Sequence, residues 1–122
     1  FTRDGSRLIF GDINGLVRII PMNNPAAIRV LSGHTAAIEQ ITFNHAGTFM
    51  ATASYDKTVR IWNLDLLNAQ PIVLDDHADW VRTAVFTLDD EQLLAGMNSN
   101  TEKANETIHA WPTNMKTMSG LL

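Results

Sequence analysis

Apolar and polar positions alternate over short runs along this chain, and the runs return at a nearly fixed interval. Leu8–Asp12 and Leu16–Ile20 read as two strands around Asn14-Gly15, a dipeptide strongly preferred in tight hairpins. Two prolines and two asparagines make 21–25 a loop, and Ala27–Leu31 then reads as a short outer strand. Ile38, Ile41 and Phe43 mark the next strand, followed by a turn at Ala46-Gly47 and a hairpin of Phe49–Ser54 with Thr58–Trp62 across Tyr55, Asp56 and Lys57. Leu64–Asn68 has the look of a helical turn, but Pro71 follows closely and a loop is expected. After Ile72–Leu74, a third group runs through Val81–Phe86, Gln92–Met97 and Thr107–Trp111, with a further outer strand expected near Thr117–Leu121. No segment sustains a helical period, so the expected class is all-β.

The spacing carries more information than any single run. Phe1, Phe43 and Phe86 lie 42 and 43 residues apart, each followed by a polar turn and an apolar run. Ile20, Trp62 and Trp111 close the last long strand of each group at intervals of 42 and 49, which places about six extra residues near 99–104. His34 and His77 are 43 apart, each closing a turn before a run that ends in Phe. Self-similarity at about 40–45 residues with four strands per unit is the mark of a propeller blade.

The middle unit opens with Gly33-His34 and closes with Trp62-Asn63. It resembles the WD-repeat (WD40) family, with Asn63 standing where the eponymous Asp is usual. The resemblance covers the whole chain, strongly in the middle unit and in degenerate form on either side. It implies a partial β-propeller of about three four-stranded antiparallel blades. Residues 1–31 are expected to form an incomplete first blade, 32–75 a complete second, and 76–122 a degenerate third. The chain starts in mid-repeat, so it is expected to be a piece of a larger propeller or to be completed by a second copy as a homodimer. Propellers typically need four to eight blades to close.

The resemblance also implies a structural tetrad of His34, Thr52, Asp56 and Trp62. The chemistry supports that set: indole only donates, a hydroxyl and an imidazole do both, and a carboxylate accepts. A chain from Trp62 through Thr52 and His34 to Asp56 therefore satisfies every member, with Ser54 the less favoured hydroxyl. The flanking units have Phe10 and Ala95 at the Thr52 position, and Asn14 at the first unit's Asp56 position, so both are expected to depend on packing alone.

A histidine, an aspartate and a hydroxyl also suggest a hydrolytic triad. A threonine in mid-strand under a tryptophan is not placed as an exposed nucleophile, so no catalytic residues and no enzyme activity are expected. The spacings of His34, His45, His77 and His109 match no compact metal-ligand pattern, and no metal or cofactor is expected. A net charge of −4 without a Lys/Arg cluster argues against nucleic-acid and membrane surfaces. No apolar run is long enough for a membrane-spanning helix. The chain lacks cysteine, which fits a reducing compartment, and a cytoplasmic location is expected.

Family members mostly act as platforms for other proteins or peptides, through side chains on one rim. The matching positions are Ile13, Ala37, Glu39, Tyr55, Trp80 and Arg82, of which Trp, Tyr and Arg are the types that most often anchor interfaces. The expected function is thus a non-catalytic scaffold for protein–protein interaction. The alternative is a regulatory or substrate-recruiting part of a larger multidomain enzyme.

Overall fold

A computed structural model describes residues 1–75, 77, 79–97 and 108–113. Among these residues all regular structure is β. The strands are β1 (Arg7–Gly11), β2 (Val17–Pro21), β3 (Arg29–Leu31), β4 (Ile38–Phe43), β5 (Phe49–Ser54), β6 (Val59–Asn63), β7 (Ile72–Leu74), β8 (Val81–Phe86), β9 (Gln92–Met97) and β10 (Ile108–Pro112). They form three antiparallel meanders in chain order: β1-β2-β3, β4-β5-β6-β7 and β8-β9-β10. The expected insertion near 99–104 and outer strand near Thr117–Leu121 lie outside the described residues.

The repeat seen in the sequence has a geometric counterpart in the turns. The backbone N–H groups of Thr2, Asn44 and Thr87 donate across equivalent turns to the carbonyls of Arg7, Phe49 and Gln92, at 2.9, 3.1 and 2.8 Å. Gly5, Gly47 and Asp90 hold the left-handed conformation at matching places, with φ of 72, 75 and 58°. An aspartate tolerates that conformation better than most side chains, and Asp90 has a reason to be there. Its carboxylate accepts from the N–H groups of His45 (2.8 Å) and Ala46 (3.0 Å) on the neighbouring sheet, and from His45 Nδ1 at 3.0 Å.

The sheets stack face to face. In β5 all six side chains are buried, because the strand is covered on both sides. Phe49, Ala51 and Ala53, with Val59 and Ile61, pack against Val81, Ala84, Phe86, Leu93 and Ala95 of the third sheet. Met50, Trp62 and Leu64 pack the other way, against Ile9, Val17, Ile19 and Leu31 of the first. Each fully buried aliphatic side chain contributes about 1.5–3 kcal/mol, so these two seams dominate cohesion. Polar contacts set their register. Arg7 Nη1 donates to the Leu64 carbonyl (3.0 Å) and Arg3 Nε to the Asn44 carbonyl (2.9 Å) across the first seam. Across the second, Gln40 Oε1 accepts from Thr83 Oγ1 and from the Ala84 N–H.

Two local details place the upper loops. Glu39 and Arg82 each sit at a bulge, where pairing slips between Ile38 and Gln40 and between Val81 and Thr83. A bulge bends the strand and re-aims its side chain. Gly15, at φ 85°, lies directly beneath the loop before β4, so that a Cβ there would stand 2.5 Å from the His34 carbonyl oxygen.

Candidate functional site

The loop from β3 to β4 lowers His34 into the seam between the first and second sheets, where its side chain is fully covered. Trp62 Nε1 donates to Thr52 Oγ1 at 3.0 Å, Thr52 Oγ1 lies 2.6 Å from His34 Nε2, and His34 Nδ1 lies 2.8 Å from Asp56 Oδ2. The structure thus brings His34, Thr52, Asp56 and Trp62 into one continuous chain. Donor roles follow from its two ends. The indole N–H gives its proton to the threonine oxygen, the hydroxyl donates to Nε2, and Nδ1–H donates to the carboxylate. A neutral imidazole protonated at Nδ1 satisfies all three links.

Titration behaviour fits that assignment. Burial pulls the His34 imidazole below its ordinary value, and the hydrogen bond and charge of Asp56 only partly offset this. Asp56 is pushed upward by burial, but hydrogen bonds from Thr58 and His34 and from the Thr35 N–H outweigh that and hold it below the usual carboxylate range. Thr58 is the member that sequence reading missed. Its Oγ1 donates to Asp56 Oδ1 at 2.6 Å and its N–H to the same oxygen at 2.9 Å. The Thr35 N–H takes the other carboxylate oxygen at 3.0 Å. Ser54 does a different job: its hydroxyl faces the carbonyls of Ala36 and Ala37 and accepts from the Asp56 N–H.

Gly33 is required by the same arrangement. It has φ 147°, and a Cβ there would come within 2.5 Å of the Arg60 guanidinium.

The expectation that both flanking sheets rely on packing alone needs correction for the third. Trp111 Nε1 donates straight to His77 Nε2 at 3.0 Å, and His77 Nδ1 donates to the Lys57 carbonyl at 2.9 Å. With Ala95 in place of a hydroxyl residue, nothing stands between the two rings, and the network shortens by one link. Its far end is a backbone carbonyl in the hairpin turn of the neighbouring sheet, where Lys57 adopts φ 71°. His109 stacks on Trp111, with centroids 4.3 Å apart. In the first sheet Asp12 closes the hairpin, accepting from the N–H groups of Asn14 and Leu16 and pairing with Arg18.

Of the six rim positions, the structure gathers three. Trp80 stacks on Tyr55 with centroids 4.7 Å apart, and the Arg82 guanidinium lies 5.7 Å from the Tyr55 ring centre. This cluster bridges the second and third sheets and leaves Trp80 43% exposed. Glu39 is exposed on its bulge, and Ala37 is half-buried with its carbonyl accepting from the Tyr55 N–H. Ile13 stands apart on the first hairpin, 82% exposed.

Residues 26–63, which span this network, match the family model of the WD domain, G-beta repeat. The chain belongs to the WD-repeat family. It is similar to U3 small nucleolar RNA-associated protein 15 of Schizosaccharomyces pombe, 36% identical over 83 residues, or 67% of this chain and 17% of that protein. It also resembles the serine-threonine kinase receptor-associated protein of Dictyostelium discoideum (30% over 93 residues; 76% of this chain, 31% of that protein). A third relative is human WD repeat and SOCS box-containing protein 1 (31% over 94 residues; 76% and 22%). The WD-repeat chain therefore spans less than a third of the length of each of these relatives. Its three sheets are blades, and the histidine chain lies in the blade that the family model covers.

Proposed function

We propose that this WD-repeat chain is a scaffold element whose upper rim, at the seam of the second and third blades, receives a protein or peptide partner. The Tyr55–Trp80–Arg82 cluster carries this reading. It presents aromatic area already ordered by stacking, so little side-chain entropy is lost on binding. Ile13 and Glu39 extend the same rim. Arg82→Glu is the cleaner test, because it reverses a charge on an exposed bulge. It is expected to weaken capture of the partner at least tenfold and to lower the melting temperature by only a few degrees, through loss of the cation–π contact with Tyr55. Trp80→Ala is expected to weaken capture as well, with a stability loss of about 0.5–1.5 kcal/mol from the broken stack. Full capture by both variants, or unfolding of both, overturns the rim assignment.

The chain on its own associates with a second copy, in this reading. The outward face of the first blade exposes Phe10 and Val30, and that of the third exposes Val85 and Ile108. These faces correspond to the two sides that meet within the molecule, so a head-to-tail pair makes a ring of six blades. Light scattering at micromolar concentration is expected to show twice the 13.5 kDa of one chain. A folded species of single-chain mass contradicts it.

A further inference from the structure

At the end of the strands opposite the rim, Arg3 and Arg7 line a recess of about 150 Å³ together with Thr2, Asp4, Ala46 and Gly47. Both guanidinium groups are fixed from the neighbouring sheet, Arg3 by the Asn44 carbonyl and Arg7 by the Leu64 carbonyl. Each of those bonds uses one of five N–H donors, so both groups are oriented and keep donors for a ligand. Asp4 is the opposing charge. Its Oδ1 accepts from the Ser6 N–H, Ser6 Oγ and Thr2 Oγ1, which lower its pKa to about 2. The recess therefore holds two fixed positive charges against one negative. Arg7 also borders an adjoining recess of about 450 Å³ lined by Ser6, Pro21, Met22 and Asn23, a wall with an apolar section.

We propose that this lower recess binds the phosphate monoester of a short peptide segment, with a neighbouring apolar side chain resting on Pro21 and Met22. A phosphate has three strong acceptor oxygens and a charge near −2, so it engages two separate guanidinium groups at once and outweighs the repulsion of Asp4. The planar fork of arginine suits such bidentate contact. This site is independent of the rim.

The test is fluorescence anisotropy of a labelled Gly-phosphoserine-Leu-Gly peptide titrated with the chain. Saturable binding is expected, at least tenfold tighter than for the unphosphorylated peptide, and inorganic phosphate competes only at higher concentration. Arg3→Gln, chosen because Arg3 is exposed, weakens binding about tenfold, the equivalent of one charge-assisted hydrogen bond. Asp4→Asn tightens it about threefold, an effect a merely structural role does not produce. Trp80→Ala leaves it unchanged, which separates this site from the rim. Equal binding of the phosphorylated and plain peptides overturns the proposal. So does an affinity that neither Arg3→Gln nor Asp4→Asn alters, or one no better than that of inorganic phosphate alone.

Discussion

Thr52→Val is expected to lower the stability of the chain by about 3 kcal/mol in urea or thermal unfolding, although it changes volume hardly at all. The valine methyl keeps the indole of Trp62 and the imidazole of His34 apart, so a buried N–H and a buried ring nitrogen both lose their partner. Each orphaned group costs about 1–3 kcal/mol, and the low dielectric of the seam leaves no water to replace the bond. Thr52→Ala is expected to cost less, in spite of the lost methyl. The third blade shows why: with Ala95 at that position, Trp111 reaches His77 directly at 3.0 Å. A larger loss in the alanine variant than in the valine variant would mean that packing volume, rather than hydrogen-bond continuity, governs the site.

Acidification is expected to destabilise the chain from about pH 6.5 downward. In the folded state the His34 pKa lies below the ordinary value, because burial disfavours the charged ring. Between the folded and unfolded pKa values the unfolded chain binds the extra proton, so stability rises with pH and falls as pH drops. One such proton changes stability by at most about 1.4 kcal/mol per pH unit. Asp56 acts in the same direction lower on the scale. Its folded pKa is depressed, so its contribution is complete above the ordinary carboxylate value near 3.9 and is lost as pH falls through the folded value. His34→Gln is expected to be less stable at pH 7 and to show a shallower slope between pH 7 and 5. A slope unchanged by that substitution assigns the effect to other groups.

The strand pattern was largely legible because it rests on local periodicity. Phe49–Ser54, Ile72–Leu74, Val81–Phe86 and Gln92–Met97 fall where alternation and turn residues put them. The start of β3 differs by two residues, at Arg29 instead of Ala27, because the Ala27 N–H is still engaged in a turn to the Asn24 carbonyl. Edges at β1, β2, β6 and β10 move by one residue, since pairing with the next strand decides them. The four residues of the buried chain were readable through the family resemblance, and donor–acceptor complementarity agreed with that set. Thr58, Gln40 and Asp90 were not. Thr58 meets Asp56 only two residues away, a local turn contact that spacing on the tetrad alone passes over. The partners of Gln40 and Asp90, in contrast, lie on another blade, and no local pattern announces which loop will lie over which. The Lys57 carbonyl is a still plainer case, because a backbone acceptor has no signature in side-chain identity.

A buried, neutral His34 links Trp62 and Thr52 to Asp56 and ties the second blade together. A long-range ¹H–¹⁵N spectrum of the imidazole nitrogens at pH 7 tests it directly. His34 is expected to be fixed as the tautomer with the proton on Nδ1 and an accepting Nε2, and to keep this form as the pH is lowered through 6.5 until the chain unfolds. A His34 ring protonated on Nε2, or one that titrates near 6.5 like an exposed imidazole, contradicts it.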